Sequence, residues 1–403
     1  MEKIRILAVT GMMTFVLSAC AGGGSGTAPV PDPPPPLASI PRLDPGPYMG
    51  YIVGFDALDA QQTALADSLQ SQAITAGQDF TRIQFGWEDL ESAPGVFNIG
   101  DLMAALDAAA ATQQSIFLSL TTLDTGSLTI PADLMSANAS TTARGIELDG
   151  AEIRARFHAF LDWLIPELAN YNVWGIAIAN ESSTNFASVD QMAATNFLVD
   201  GVNYVRSVDP DLAVTVTIVG EFFDPDVERF ANDLMPQLDF AMFNFYCLDG
   251  QTLLASDSMH WATAVDKQIE VAAGREIIYQ ELGCPAGYAD LGGPSQPVPV
   301  IGSSVQLQDD FFGFMVNEII ARDELRGAYI FQLLDWSPAL TQLFTDGLFD
   351  PNDPGSAVVA PRLTEWLMTI GMCRWSDGTC RPAWDTYLDG VTRTSNERAA
   401  IGN

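Results

Sequence analysis

Short apolar runs alternate with amphipathic stretches along most of this chain. Eight runs are mostly apolar from end to end, which is typical of parallel strands buried on both faces. The predicted strands cover residues 49–55, 80–85, 115–120, 173–178, 213–219, 240–245, 276–280 and 327–331. Between them, stretches such as residues 57–77 and 309–324 have a helical period, and Gly and Pro mark the joints.

Eight strands that alternate with helices predict an α/β fold, the (β/α)8 or TIM barrel. We expect one such domain over residues 45–403, with a C-terminal extension from about residue 370. An open, doubly wound sheet is the alternative architecture. No Gly-x-Gly-x-x-Gly motif follows the first strand, so a dinucleotide-binding fold has little support.

The first twenty residues predict a secretory signal rather than part of the fold. Lys3 and Arg5 precede an apolar run that is too short to span a bilayer. The segment that ends at Cys20, Leu-Ser-Ala-Cys, resembles a bacterial lipobox, in which the cysteine is lipidated and becomes the mature N-terminus. A plain signal peptide with a chance cysteine is the alternative. Gly22, in place of Asp, favours the outer membrane.

Residues 21–44 are dominated by Gly, Ser and Pro and show no apolar period. This composition predicts a tether that is flexible at first and then stiffened by polyproline. With Cys20 lipidated, the tether predicts a protein of the cell envelope, anchored in a membrane and facing the periplasm or the exterior.

Composition narrows the classes of partner. The formal net charge of −33 disfavours binding to nucleic acid and to anionic lipid, and it suits an exported protein that stays soluble. The chain has two histidines and no Cys-x-x-Cys motif, so we expect no metal site and no cofactor.

Polar residues follow two of the predicted strands. Asn180 and Glu181 come directly after the apolar run 173–178, and Glu281 follows the seventh strand. In a barrel these positions face the mouth, where functional side chains lie. The pair Asn317-Glu318 has the same two letters, but it lies inside an amphipathic helical pattern and is expected to be a solvated helix surface. Glu221 ends the fifth strand and is a rival carboxylate without a preceding Asn.

Strands four and seven of a (β/α)8 barrel lie across the mouth from each other, so Glu181 and Glu281 are expected to face one another. Cleavage of a glycosidic bond needs such a pair, because one carboxyl group protonates the leaving oxygen while the other attacks the anomeric carbon or activates water. Two unrelated glutamates at strand ends are the alternative.

Further residues raise the case for a sugar site. Arg82 lies in the second strand, Asn244 and Tyr246 lie at the end of the sixth, and Trp336 follows the eighth. Trp87 begins the stretch WEDLESAPGVFN after the second strand. In this order the motifs resemble the retaining glycoside hydrolases of clan A, the family-5-like barrels, over residues 47 to about 370.

The resemblance implies that Glu181 is the acid/base and Glu281 the nucleophile, and that Asn180 binds the sugar 2-hydroxyl. It also implies that Arg82 and Tyr246 keep the nucleophile ionised. Beside Asn180, five residues are expected to bind substrate: Trp336, Asn244, Trp87, Tyr246 and Arg82. Trp336 is expected to be the stacking platform. Ser182 stands where many relatives have Pro, so the subfamily stays open.

The function that this resemblance implies is a retaining glycosidase at the cell surface, which cleaves β-glycosidic bonds of a polysaccharide or oligosaccharide by double displacement. A non-catalytic glycan-binding barrel is the alternative, and the presence of both glutamates disfavours it. A structural lipoprotein without ligand is the third reading. Three tryptophans expected in rim loops speak against that reading: Trp87, Trp261 and Trp336.

Four cysteines remain after Cys20, and they allow three pairings in an exported chain. Cys373 and Cys380 bracket a turn-like hexapeptide and are expected to form a local bridge. Cys247 and Cys284 follow the ends of the adjacent strands six and seven, within the reach of a disulfide. Two reduced, packed thiols are the alternative for this second pair.

Overall fold

A computed structural model describes residues 40–52, 60–125, 127–138, 148–183, 190–220, 225–249, 253–291, 300–349 and 356–401. Nine parallel strand segments form one sheet that curls into a barrel, with helices around it. The predicted (β/α)8 fold is confirmed. The signal peptide, Cys20 and most of the predicted linker lie outside the described residues, as does Glu221.

The barrel strands are numbered β1 to β8 in chain order: Tyr48–Tyr51, Phe80–Gly86, Ser115–Thr121, Val173–Ala177, the two segments Ala213–Thr215 and Thr217–Val219, Ala241–Tyr246, Ile277–Gly283 and Leu325–Ile330. The two segments of β5 are separated by Val216 alone; the first pairs with β4 and the second with β6. Strand β1 pairs with both β8 and β2, which joins the chain's first and last strands. All eight predicted strands are present.

The barrel helices, α1 to α8, are Ala60–Thr75, Gly100–Ala111, Ala151–Leu168, Gln191–Val208, Pro225–Leu234, Ser258–Ala272, Val305–Ala321 and Pro382–Ile401. Each follows the strand of the same number. Further helices lie in the connections: Trp87–Leu90, Ala132–Asn138, Pro338–Leu348 and Ser356–Thr369. Within the described part of the chain, no helix is long and apolar enough to cross a membrane.

Helix α8 completes the barrel rather than extending from it. Tyr387 and Val391 are buried on its inner face, and the helix packs against α7 and β1. Near its end, the Arg398 guanidinium lies 4.2 Å from the ring centroid of Tyr48 in β1 and donates to the Pro47 carbonyl. The segment after residue 370 therefore belongs to the barrel. Two inserted helices separate α8 from β8, and they hide this relation in the sequence.

Aromatic rings fill the amino-terminal half of the barrel interior. Phe80 at the start of β2 stacks on Tyr329 at 4.4 Å, and Trp174 of β4 lies 5.0 Å from Phe117 of β3. Side chains alternate along a strand, so Arg82 shares the inward face of β2 with Phe80. The inward face of β2 thus changes from aromatic to polar along the strand, which brings a polar group towards the carboxyl end.

Both predicted disulfides are present. Cys247 bonds to Cys284 with a Cα–Cα distance of 5.1 Å, and Cys373 bonds to Cys380. The first bridge joins the residues that directly follow β6 and β7, whose last residues pair in register. It therefore ties together the ends of the two strands that carry Tyr246 and Glu281.

Candidate active site

Glu281, near the end of β7, lies at the centre of the polar layer. Tyr246 of β6 donates its hydroxyl hydrogen to Glu281 Oε2 at 2.6 Å, and Arg82 Nη2 lies 3.3 Å from Oε1. The side chains of Glu281 and Arg82 are 6% and 1% exposed. Burial raises the pKa of Glu281 above its ordinary value, while the Arg82 charge and the Tyr246 hydrogen bond oppose that rise.

Asn180 connects the carboxyl groups of the site. Its Nδ2 donates to Glu281 Oε1 at 3.4 Å and to Asp124 Oδ1 at 2.9 Å. Its Oδ1 accepts from Asn244 Nδ2 at 3.1 Å and from Gln280 Nε2 at 2.7 Å. All four contacts agree with one orientation of the amide, so neighbours on β6, β7 and the loop after β3 hold it in place.

Glu181 follows Asn180 and has a left-handed backbone with φ of 45°. A non-glycine residue in this region costs roughly 1–3 kcal/mol and persists only where the surroundings hold it. Here the Asn180 N–H donates to the Leu123 carbonyl at 2.9 Å, and the Ser182 hydroxyl donates to the Thr217 carbonyl at 3.1 Å. The strained residue is thus anchored on both sides.

The carboxyl group of Glu181 is half-buried and accepts from Asn244 Nδ2 at 3.0 Å. Burial, together with the negative charge of Glu281, raises the pKa of Glu181 to about 7, against the Asn244 hydrogen bond. Asp124 also contributes to the rise. The two glutamates therefore have different neighbours: Glu281 lies against a guanidinium and a phenol, whereas Glu181 faces two carboxylates.

This difference gives the pair an acid and a base. Near neutral pH, the carboxylate with Arg82 at 3.3 Å keeps its charge more easily than the one facing other carboxylates. Pairs of titratable groups whose environments differ in this way divide the two proton-transfer roles. The arrangement can protonate a leaving group from Glu181 and attack an electrophilic carbon from Glu281.

Sequence reasoning missed a third carboxylate, Asp124. It lies in a hairpin after β3, formed by Leu123–Asp124 and Ser127–Leu128. Gln84 Nε2 donates to Asp124 Oδ2 at 2.9 Å, and Gln84 Oε1 accepts from Arg82. The available signal was a carboxylate shortly after the third apolar run. Gln84 in β2 and Gln280 in β7 were further signals, because each is a polar residue within a buried strand.

Trp87 does not reach the site, and its predicted role in substrate binding is wrong. The residue is fully buried, and its ring packs against Phe157 and Phe160 of α3 at 5.0 and 6.0 Å. Its indole N–H donates to Glu91 Oε2 at 2.8 Å. Trp261 is also buried, in helix α6 against Phe311, so neither tryptophan lies in an exposed rim loop.

The aromatic rings that contact Tyr246 are Phe331 and Trp366, at centroid distances of 5.6 and 5.0 Å. Phe331 directly follows β8, and half-buried Trp366 lies in the inserted helix Ser356–Thr369. Trp336 is 8% exposed and packs against Phe344, so its stacking role stays a prediction. Trp366 was missed because it lies far beyond the strand end where platform residues were sought.

The loops around the mouth are joined by a buried ion network. Arg381 donates to Asp335 Oδ2 at 2.6 Å and to Asp290 Oδ2 at 2.7 Å, and all three side chains are at most 4% exposed. This network ties the loop after β7 to the segment that carries Trp336. Among the described residues, no group of three or more His, Cys, Asp or Glu side chains is arranged to hold a metal ion.

Solved structures with similar folds include an exo-beta-1,4-mannosidase from Opitutaceae bacterium strain TAV5, with a TM-score of 0.59 and 13% identity. The alignment covers 88% of this chain and 60% of the mannosidase. The fold matches that of glycoside hydrolase barrels. No protein-family model and no curated protein sequence matches the chain.

Two further structures agree with this fold. A GH5_18 variant from Bifidobacterium longum, in complex with Manβ1-4GlcNAc, has a TM-score of 0.62 and 14% identity, covering 86% of this chain and 78% of that one. A family 39 glycoside hydrolase from the gut symbiont Bacteroides cellulosilyticus WH2 has a TM-score of 0.56 and 13% identity, covering 87% and 64%.

Proposed function

We propose that this protein is a retaining glycosidase that cleaves β-glycosidic bonds of an oligosaccharide or polysaccharide. The observation that carries the proposal is the pair Glu181 and Glu281, which share the neighbour Asn180 but have different electrostatic surroundings. The glycoside hydrolase fold supports the reaction class.

In the first step, Glu281 attacks the anomeric carbon while Glu181 gives its proton to the leaving oxygen. The product is a covalent glycosyl ester of Glu281. In the second step, Glu181 removes a proton from water, which attacks the same carbon and releases Glu281. Arg82 and Tyr246 contact Glu281, so they would stabilise the carboxylate that leaves in this step.

The names of the structural neighbours suggest which saccharides should be tested first as substrates. One is called an exo-beta-1,4-mannosidase, and another is in complex with Manβ1-4GlcNAc. We therefore propose a β-linked saccharide and place β-mannosides first in the search. The half-buried ring of Trp366 beside Tyr246 offers apolar surface for a sugar face.

The test is a screen of 4-nitrophenyl β-glycosides and β-linked oligosaccharides, with β-mannosides included. We expect release from at least one of them, and NMR of the first product should show the β-anomer. The α-anomer as first product would contradict double displacement. Saturable binding without release would instead identify a glycan-binding barrel.

We expect a bell-shaped dependence of kcat/KM on pH, with an optimum on the acid side of neutrality. The acid form of Glu181 is required, and its pKa of about 7 means that activity falls as pH rises through that value. Glu281 must be ionised, so activity also falls as pH drops through its raised pKa. Initial rates from pH 3 to pH 10 measure both limbs. A rate that stays flat from pH 6 to pH 10 would exclude a glutamate acid.

We also propose that the protein is anchored to a membrane through Cys20. The lipobox-like segment ending at that residue motivates this proposal. In a bacterial expression host, Cys20→Ala should abolish incorporation of labelled fatty acid and shift the protein from the membrane fraction to the soluble fraction. If the unchanged protein carries no lipid label while a known lipoprotein in the same culture does, the anchor does not exist.

A further inference from the structure

The hairpin after β3 is attached to the segment that carries Glu181. Asp124 and Asn180 form an isolated parallel bridge, and the Thr125 N–H donates to the Asn180 carbonyl at 3.4 Å. Thr125 and Glu181 both have left-handed backbones, with φ of 38° and 45°. Two strained residues in contact indicate that the surrounding structure holds both in a required position.

The Asp124 carboxylate accepts three hydrogen bonds. Oδ1 accepts from Asn180 Nδ2 at 2.9 Å and from the Thr125 hydroxyl at 3.0 Å, and Oδ2 accepts from Gln84 Nε2 at 2.9 Å. Burial raises the pKa of Asp124, while Asn180, Thr125 and the Arg82 charge oppose the rise. A carboxylate that keeps three donors in place can fix the orientation of each of them.

Thr125 also hydrogen-bonds to Glu181, and this bond lowers the pKa of Glu181, because the hydroxyl donates to the ionised carboxylate. The hydroxyl has one hydrogen, which can serve Asp124 or Glu181 but not both. When the hydrogen is given to Asp124, ionised Glu181 loses this donor. Asp124 therefore competes with ionised Glu181 for the Thr125 hydrogen, which favours the acid form of Glu181.

We propose that Asp124 is a positioning residue for the general acid, a role that deepens and rests on the proposed function. Asp124 orients the Asn180 amide and draws the Thr125 hydroxyl hydrogen away from Glu181. It does not need to touch the reacting atoms. Its carboxylate favours the protonated form of Glu181, which gives the leaving group its proton.

The charged and titratable groups around Glu181 come from several elements. Glu281 faces it from β7 and Asp124 from the hairpin, and both carry negative charge. Arg82 of β2 and Tyr246 of β6 contact Glu281. Loss of the Asp124 charge therefore removes one of two carboxylates that disfavour the ionised form of Glu181, and leaves the other with its partners intact.

The first test measures the proton directly and needs no substrate. Protein labelled with 13C at the glutamate carboxyl carbons is titrated by NMR, and the Glu181 signal is assigned by its loss in Glu181→Gln. We expect Asp124→Asn to lower the Glu181 titration midpoint by roughly one pH unit. Thr125→Val removes a donor to ionised Glu181 and should not lower the midpoint, so the direction of the shift separates the two residues. A midpoint that is unchanged or raised in Asp124→Asn would overturn the proposal.

The second test uses the 4-nitrophenyl glycoside that the wild-type enzyme cleaves, together with an alkyl glycoside of the same sugar. Asp124→Asn should move the alkaline limb of kcat/KM to lower pH. It should reduce kcat on the alkyl glycoside on the order of tenfold more than on the activated one, because only the former needs a strong acid. If kcat falls equally on both glycosides and the alkaline limb does not move, the role of Asp124 is purely structural.

Asp89→Asn is the matched control. Asp89 is an exposed carboxylate in the short helix after β2, and it accepts from the Gly86 N–H at 3.1 Å. The substitution removes one negative charge from the connection after β2 without changing the hydrogen bonds among Asp124, Thr125 and Glu181. The alkaline limb of kcat/KM and the Glu181 titration midpoint should therefore not move. If the wild-type protein cleaves no glycoside, the proposed function fails, and the NMR midpoints alone decide whether Asp124 keeps Glu181 protonated.

Discussion

Glu281→Gln is expected to lower kcat on the order of 10⁴-fold or more, because an amide cannot attack the anomeric carbon. Glutamine has nearly the same size, and its oxygen can still accept the Tyr246 hydroxyl that lies 2.6 Å from Glu281. The fold and the binding of substrate should therefore persist. Steady-state rates on the best 4-nitrophenyl glycoside measure the loss, and thermal unfolding checks the fold.

A covalent label separates a nucleophile from a residue that only binds. With a 2-deoxy-2-fluoro glycoside of the same sugar, the intact mass of the wild-type enzyme should increase by one glycosyl group, attached to the peptide that contains Glu281. Glu318→Gln is the control, since Glu318 follows Asn317 just as Glu181 follows Asn180, but it lies in helix α7 and pairs with Arg322. Labelling of any other carboxylate would assign the nucleophile elsewhere.

The periodicity of the chain was sufficient to predict the barrel, because most strands are buried on both faces and leave a distinct apolar run. The strand ends in turn placed Glu181 and Glu281, since the carboxyl ends of parallel strands meet at one edge. The bridge between Cys247 and Cys284 followed from the same adjacency. These features depend on topology alone, so one sequence contains enough information for them.

The parts of the site that could not be predicted from the sequence lie in loops and helices that fold back over the barrel mouth. Asp124 reaches the site because a hairpin turns towards β4, and Trp366 reaches Tyr246 through an inserted helix. Trp87 begins the connection after β2 as expected, yet its ring faces α3 rather than the mouth. The direction of a side chain in a short irregular connection is set by tertiary packing, which apolar periodicity does not report.

The loss caused by Glu181→Ala is expected to depend on the leaving group. An alkyl glycoside needs the proton from Glu181, so its kcat should fall by about 10²–10⁴-fold, whereas the first step on a 4-nitrophenyl glycoside should be much less affected. Azide should restore turnover of the activated substrate, because the small anion can occupy the space of the lost carboxyl and attack without a base. The product should be the β-glycosyl azide, as retention requires. An α-glycosyl azide, or the same loss on both substrates, would remove Glu181 from the acid/base role.

Glu181→Gln then separates the chemistry from the fold. Because the pKa of Glu181 is raised to about 7 in the folded protein, the folded state binds the proton more tightly than the unfolded chain does. The contribution of Glu181 to the stability of the wild-type protein therefore falls as pH rises from the ordinary glutamate pKa through 7. Glutamine cannot ionise, so the variant should unfold at a higher temperature than the wild type at pH 8 and at a similar temperature at pH 4. An inactive variant that is more stable at pH 8 would identify Glu181 as a group kept protonated for catalysis, and a variant that is less stable at pH 8 would contradict the raised pKa.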